Sequence, residues 1–296
     1  MTLKWCALVV ALWMAAGTAP AQDKPDNPEN VTTVTVTANL PPDRISKPLT
    51  TIVVTEPANL RALADMAGYD GKSAANFLFV VEKQTTIMGK PGGGTAIDTG
   101  DWPDAVYLAL AINGKVYGGG GNGGDGGPIP AAKSGTKGGD AIYVRAPILI
   151  VIAETGTVEA GGGGGGGGEI RGGSVLDGAG PAAGGGGGGG FPNGGYGMGG
   201  MGWSGSADNG RPGTLQAPGR GGNNNSIAGT SWSGVLTDNE SAGTLAKVVP
   251  GGNGGNAGRD GDGTTGGSGG AGGYAVRANN IPVELILSGR IRGEIG

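Results

Sequence analysis

Eight consecutive glycines, Gly161 to Gly168, and seven more from Gly184 to Gly190, constrain this chain more than anything else in it. An ordered glycine gives up about 1–2 kcal/mol of backbone entropy and has no side chain to bury in return. Two states are open to such runs. One is a flexible linker. The other is an extended helix of three residues per turn that bonds through its main chain to similar helices beside it. Each hydrogen bond returns about 0.5–1.5 kcal/mol net and each Cα–H···O contact about 0.5–1 kcal/mol. One glycine helix therefore cannot stand alone, whereas a bundle can.

The stretch from Gly251 to Tyr274 discriminates between the two. Every third residue from Asn253 carries a side chain with one alternation throughout: Asn253, Asn256, Arg259, Asp262, Thr265, Ser268, Ala271 and Tyr274. The position before each is glycine except Thr264. A linker needs no phase, but a three-per-turn helix does. Asn122, Asp125 and Pro128 repeat the phase. Proline is too scarce within these triplets for a collagen triple helix. The expected fold is mostly irregular and β: a small β cap, a sandwich of glycine helices with long loops, and one short N-terminal α-helix.

With 71 glycines in 296 residues and 5% aromatics, the chain is too poor in large apolar groups for one ordinary core of its size. It has no histidine, which removes the commonest general base and metal ligand. A net charge of -4 gives no footprint for nucleic acid. Gly120 to Asp125 matches the start of a calcium-binding nonapeptide, but Gly127 stands where a large aliphatic belongs and nothing repeats in tandem. Calcium at Asp125, Asp260 or Asp262 is set aside on that ground. Gly71-Lys72-Ser73 lacks the glycine that a phosphate loop requires at Met66. No nucleophile stands out with a supporting base, so a protein without catalysis, cofactor or metal is expected.

Residues 1–21 read as a secretory signal: Lys4, an apolar run from Cys6 to Ala16, and Ala19-Pro20-Ala21 before cleavage at Gln22. The alternative is a retained hydrophobic segment that docks on a partner. The run is too short for a permanent membrane span, and no second stretch is long enough. Residues 22–56 read as a Thr/Pro-rich tether with edge strands around Val34, Val36 and Ile52 to Val54. Residues 57–117 read as a small α+β attachment domain and 118–296 as a glycine-rich recognition domain. Pro57 to Ala67 has helix signals, with Thr55 as N-cap, Leu60, Leu63 and Ala67 on one face, and Gly68 as stop. Phe77 to Val81 and Thr86 to Met88 read as strands.

One unit recurs three times, beginning at Ala105, Ala141 and Ala275: a strand, a tight turn and a short strand running toward glycine. The turns are Asn113-Gly114, Thr155-Gly156 and Ser288-Gly289, the first being a hairpin-type signal. The three copies are expected to pack as one β cap. Phe191, Tyr196, Met198, Met201, Trp203, Leu215, Ile227, Trp232, Val235 and Leu236 are scattered among Gly, Ser and Asn without helix or strand period. Aromatics and methionines on loops held by a rigid scaffold are the usual dress of a recognition surface. They are also suited to shielding the edges of a glycine sheet.

The succession Ala96-Ile97-Asp98-Thr99-Gly100, then Leu110 to Gly118 running into Gly120 to Gly127, then Gly138-Gly139-Asp140-Ala141, then Glu154 to Ala160 resembles the glycine-rich host-recognition region of tailed-bacteriophage adhesins. It is most similar to the distal tail-fibre adhesins of T-even-type phages and to siphophage tail-tip modules, over roughly 58–296. The resemblance implies a hexagonally packed polyglycine II sandwich in a virion tail, with inter-tract loops that contact an outer-membrane protein or surface glycan of the host. It implies receptor contact for Phe191, Tyr196, Met198, Met201, Trp203, Asn224, Trp232 and Leu236. It also implies attachment to a tail fibre or tail-tip protein through the N-terminal region, although residues 1–57 do not match that part of the family. Phage tail proteins normally carry no export signal, which sets residues 1–21 against the resemblance. The rival reading is a secreted or surface-exposed glycine-rich bacterial protein, structural or adhesive.

Overall fold

The computed structural model describes residues 9–11, 35–37, 48–127, 131–171, 183–202, 205–223, 247–248 and 250–296. Within 1–47, Val9–Ala11 pairs antiparallel with Thr35–Thr37 and the rest lies outside the described residues; the end of the expected tether, Leu49–Val53, is a strand of the solenoid.

Alternation builds the cap. Phe77, Phe79 and Val81, then Leu108, Leu110 and Ile112, then Ile148, Ile150 and Ile152 each fall on one face of a strand, and all nine are buried in a single core. Their strands Asn76–Val81, Tyr107–Ile112 and Ile148–Ile152, flanked by Leu49–Val53 and Val283–Leu287, form one sheet in which every pair is parallel. A second parallel sheet stacks Ala58–Asn59, Ile97–Asp98, Ile142–Tyr143, Tyr274–Arg277 and Glu294–Ile295. A third stacks Thr86–Met88, Lys115–Tyr117, Thr157–Glu159 and Arg290–Arg292. The chain visits the Ile97 sheet, the Phe77 sheet and the Glu159 sheet in turn, four times over. The result is a three-faced parallel solenoid with Ile87, Ile97, Val116, Ile142 and Val158 completing its core.

Three expectations change here. Asn113-Gly114 is not a hairpin: Tyr107–Ile112 and Lys115–Tyr117 lie in different sheets, and the pair turns a solenoid corner. Both its N–H groups bond Val81 O of the preceding rung, at 2.9 and 3.2 Å, and a Cβ on Gly114 would lie 2.2 Å from Glu82 O. The helix is Leu60–Met66, capped by Asn59 rather than Thr55, because Ala58 N–H bonds Ala96 O and draws 58–59 into a sheet. Asn59 Oδ1 accepts from Ala62 N–H at 3.1 Å, and Ala64, not Ala67, joins Leu60 in the core. Finally, the boundary expected at 117/118 cuts through all three sheets, since strands from 142–159 and 274–295 pair directly with those of 97–117.

All glycine tracts leave the solenoid at one corner, between the Glu159 sheet and the Ile97 sheet. The ladder of the Glu159 sheet runs straight into them: Gly118 N–H bonds Glu159 O and Ala160 N–H bonds Arg292 O, then Gly139 bonds Gly119 and Gly161 bonds Gly139. Beyond that the pattern rotates with a period of three. Gly161, Gly164 and Gly167 donate to the carbonyls of Gly139, Thr136 and Lys133; Gly162, Gly165 and Gly168 to those of Phe191, Gly188 and Gly185; Gly163 and Gly166 to those of Arg259 and Asp262. The carbonyls of the same tract accept from Gly121, Gly124 and Gly127, from Gly255 and Gly252, and from Gly273 and Gly270. One run of eight residues is thus bonded to six neighbouring rows at 2.7 to 2.9 Å. Rows so close leave no room for a methyl group. A Cβ on Gly164 would sit 1.9 Å from Asn122 O, whereas one on Gly263 would meet nothing nearer than 3.4 Å. Gly164→Ala is therefore expected to cost roughly 1–3 kcal/mol or more by overpacking, and Gly263→Ala close to nothing. Thermal unfolding of the two variants checks this, and equal melting temperatures would contradict the packing described.

Candidate receptor-binding surface

The residues from Gly194 to Gly200 form a row at the border of the glycine array. On its inner side Gly194, Gly197 and Gly200 donate to the carbonyls of Gly190, Gly187 and Gly184. On the side facing row 121–127, N–H groups are met by side chains: Asn122 Oδ1 accepts from Gly195 N–H at 2.8 Å and Asp125 Oδ1 from Met198 N–H at 3.0 Å. Asn209 Oδ1 accepts from Gly199 N–H at 2.9 Å. Main-chain donors at a border need such partners, and the three-residue phase of Asn122 and Asp125 supplies them. With the backbone held on several sides, Tyr196, Met198 and Met201 point outward, 49%, 61% and 62% exposed. Met201–Gly202 then pairs antiparallel with Gly205–Ser206.

Phe191 departs from the expectation. It is 7% exposed and packs edge-to-face on Tyr117, ring centroids 5.7 Å apart. Nearby, Asn193 Oδ1 accepts from Gly120 N–H and its Nδ2 donates to Gly89 O, both at 2.9 Å. Phe191 and Asn193 thus stitch the array to the solenoid, the apolar ring packing on Tyr117 inside that junction. Leu215, outside the eight expected contacts, is 45% exposed on a turn whose Thr214 Oγ1 accepts from Gln216 and Ala217 N–H. Trp203, Asn224, Trp232 and Leu236, with Ile227 and Val235, lie outside the described residues.

The acidic residues once weighed for calcium have other partners. Asp125 Oδ2 pairs with Lys133 Nζ at 2.9 Å, Asp262 Oδ2 accepts from Asn253 Nδ2 at 2.8 Å, and Asp260 Oδ1 accepts from Gly272 N–H at 2.8 Å. Partial burial alone would raise the Asp125 pKa, but the bonds from Lys133 and Met198 N–H outweigh it and hold the carboxyl below its ordinary value.

A β solenoid whose one corner grows a bonded array of glycine rows, bordered by exposed Tyr and Met, is the architecture against which known proteins can be compared. The model of the family described as phage tail fibre adhesin Gp38 matches residues 49–296. The chain belongs to that family. It is a receptor-binding adhesin of a phage tail, and the reading as a secreted bacterial protein gives way. Among solved structures it is similar to a chain in the crystal structure of the gp37-gp38 adhesin tip complex of the bacteriophage S16 long tail fibre, at 25% identity and a TM-score of 0.52, covering 84% of this chain and 82% of that one. No curated protein sequence matches the adhesin. No helix among the described residues is long and apolar enough to cross a membrane.

The Asp125 bonds give a pH prediction. A carboxyl with a folded pKa below its unfolded value contributes fully above the unfolded value and loses that contribution as pH falls through the folded one. The Met198 amide resonance is therefore expected to shift with a midpoint below 3.8, the ordinary aspartate value, and Asp125→Asn should abolish that transition. A midpoint at or above the ordinary value would contradict the arrangement.

Proposed function

We propose that the adhesin grips an outer-membrane protein or surface glycan of its host through side chains projecting from a polyglycine II sandwich, and that it acts by shape and apolar contact without catalysis. The observation that carries this reading is the pairing of opposites in one row: Tyr196, Met198 and Met201 are exposed on a backbone whose N–H groups at 194, 195 and 197 to 200 are all bonded. The rotation of bonds through six neighbours supports the polyglycine II assignment. A contact surface already ordered loses little backbone entropy on binding, about 1–2 kcal/mol per residue being spent in advance. Trp203, Asn224, Trp232 and Leu236 belong to the same proposed surface; Phe191, buried against Tyr117 at the junction with the solenoid, anchors the array that carries it.

Attachment to the tail falls to the first rungs of the solenoid. Leu49–Val53 is an edge strand paired on one side only, and Leu49 and Val53 on it are 47% and 46% exposed. Such an edge is a template for another chain, and the solved relative is a complex with gp37 of a long tail fibre. A tail fibre protein is the partner that we assign to it.

Two experiments separate these roles. Replacing Tyr196 and Met198 together with alanine is expected to reduce host adsorption about 30-fold or more, the loss of a hot spot worth ~2 kcal/mol, with particles assembled normally and melting unchanged; adsorption at the original rate would remove the pair from the surface. Val53→Asp is expected to yield particles lacking the adhesin while the free protein still folds, and normal incorporation would move the attachment site elsewhere.

A further inference from the structure

The outer face of the Glu159 sheet holds a second arrangement of polar groups, away from the exposed row. Register places Tyr117, Glu159 and Arg292 side by side across three strands, with Lys115, Thr157 and Arg290 one step along. Glu159 is 5% exposed. Its Oε1 lies 3.3 Å from Arg290 Nε and 3.8 Å from Arg292 Nε, both longer than a well-formed charged hydrogen bond. Among the described residues no hydrogen bond reaches this carboxylate. Burial raises its pKa, with Arg290 and then Lys115 pulling the other way. No polar side-chain atom among the described residues is both buried and without a partner, so the oxygens that this carboxylate leaves unbonded keep contact with solvent and are open to a donor.

In front of it lies a cavity of about 170 Å³, where the glycine array meets the solenoid. Its walls include Phe191, Gln216, Asn256 and the two arginines. The arginine side chains are 51% and 59% exposed, and with Nε turned to Glu159 their Nη groups are free for a guest. Gln216 and Asn256 are exposed, and their side-chain amides bond no other described residue. A metal ion is opposed here by two guanidinium groups, and a bare anion by Glu159. What fits is a guest of about the size of one sugar ring that brings hydroxyl donors to the carboxylate and a negative group to the arginines.

We propose that this cleft binds a hexuronic acid residue of a bacterial surface polysaccharide, its hydroxyls donating to Glu159 and its carboxylate held by the Nη groups of Arg290 and Arg292. Gln216 and Asn256 bond the remaining ring oxygens, and the Phe191 edge and Leu215 meet its C–H face. The site uses none of Tyr196, Met198 or Met201, so it stands or falls separately from the surface proposed above.

The test is saturation-transfer NMR and calorimetric titration of the full chain with D-glucuronate and D-galacturonate, with D-glucose, D-galactose and sodium acetate as comparisons. Expected is saturable binding of at least one hexuronate, weakened by salt and about 10-fold tighter than the neutral hexose, as the loss of a charged hydrogen bond predicts. Arg292→Ala and Glu159→Gln should each weaken it by roughly the same factor. Because Glu159 is buried, Gln216→Ala is the companion variant: it is exposed, leaves melting unchanged, and should weaken binding measurably. Absence of saturation, acetate binding as well as hexuronate, or full binding by both Arg292→Ala and Gln216→Ala would overturn the proposal.

Discussion

How closely one main chain can approach another is the constraint on which this adhesin depends. Across Gly161 to Gly167 and Gly184 to Gly190, a Cβ would fall 1.8 to 2.2 Å from a carbonyl oxygen of a neighbouring row. Only hydrogen occupies such a space. The same closeness makes the N–H···O bonds possible, so composition and cohesion are one fact: every residue with a side chain inside the array would break bonds on several rows at once. Near 1 kcal/mol per bond against 1–2 kcal/mol of backbone entropy, a row breaks even only when most of its donors, acceptors and Cα–H groups are matched. Rows at the border are the weak case, and there Asn122, Asp125 and Asn209 take over the work of the missing neighbour.

The array also needs a start. A row that must find its neighbours from a flexible chain faces the same nucleation cost as any helix. The solenoid removes it by handing each tract a ladder already in register: Glu159 to Gly118 and Arg292 to Ala160 are the last bonds of a sheet and the first of the array. Apolar burial by Phe79, Leu110, Ile150 and their stacked neighbours fixes that register, at about 1.5–3 kcal/mol for each large side chain. Hydrophobic and main-chain cohesion are therefore not alternatives here. The first positions the second, and that the tracts following Tyr117 and Glu159 leave by one corner is the geometric result.

What the sequence showed and what it hid divide along the same line. Apolar runs such as Phe77 to Val81 marked strands of the core, and the recurrence at Ala105, Ala141 and Ala275 marked rungs that stack together, because both depend on side chains. The three-residue phase exposed the rows for the same reason. Asn113-Gly114 misled because its local preference serves a solenoid corner as well as a hairpin; only Val81 O on the rung below decides between them. Phe191 misled because an aromatic beside glycine looks alike whether Tyr117 lies under it or not. Asn122 and Asp125 were seen as phase markers, yet the amides they hold are 73 residues away, a distance that no local pattern reports.

This arrangement bears on how such an adhesin can change its target. Recognition residues usually sit on loops that trade order for variability. Here Tyr196 and Met198 alternate with Gly195 and Gly197, whose N–H groups are bonded at 2.8 Å to Asn122 Oδ1 and Gly187 O, so the backbone course is set by the glycines and not by the side chains between them. Replacing an exposed residue at 196 or 198 alters the surface and leaves the bonding intact, whereas a Cβ on Gly197 would lie 2.0 Å from Gly124 O and 3.0 Å from Gly187 N, against rows on both sides, and one on Gly195 would press only on the Asn122 side chain, at 3.0 Å. Substitution is therefore free at Tyr196 and Met198 and blocked at Gly197 between them. A change of the exposed surface by single substitutions at 196 or 198 then costs little stability, since the side chains proposed to meet the receptor are not those that hold the array together.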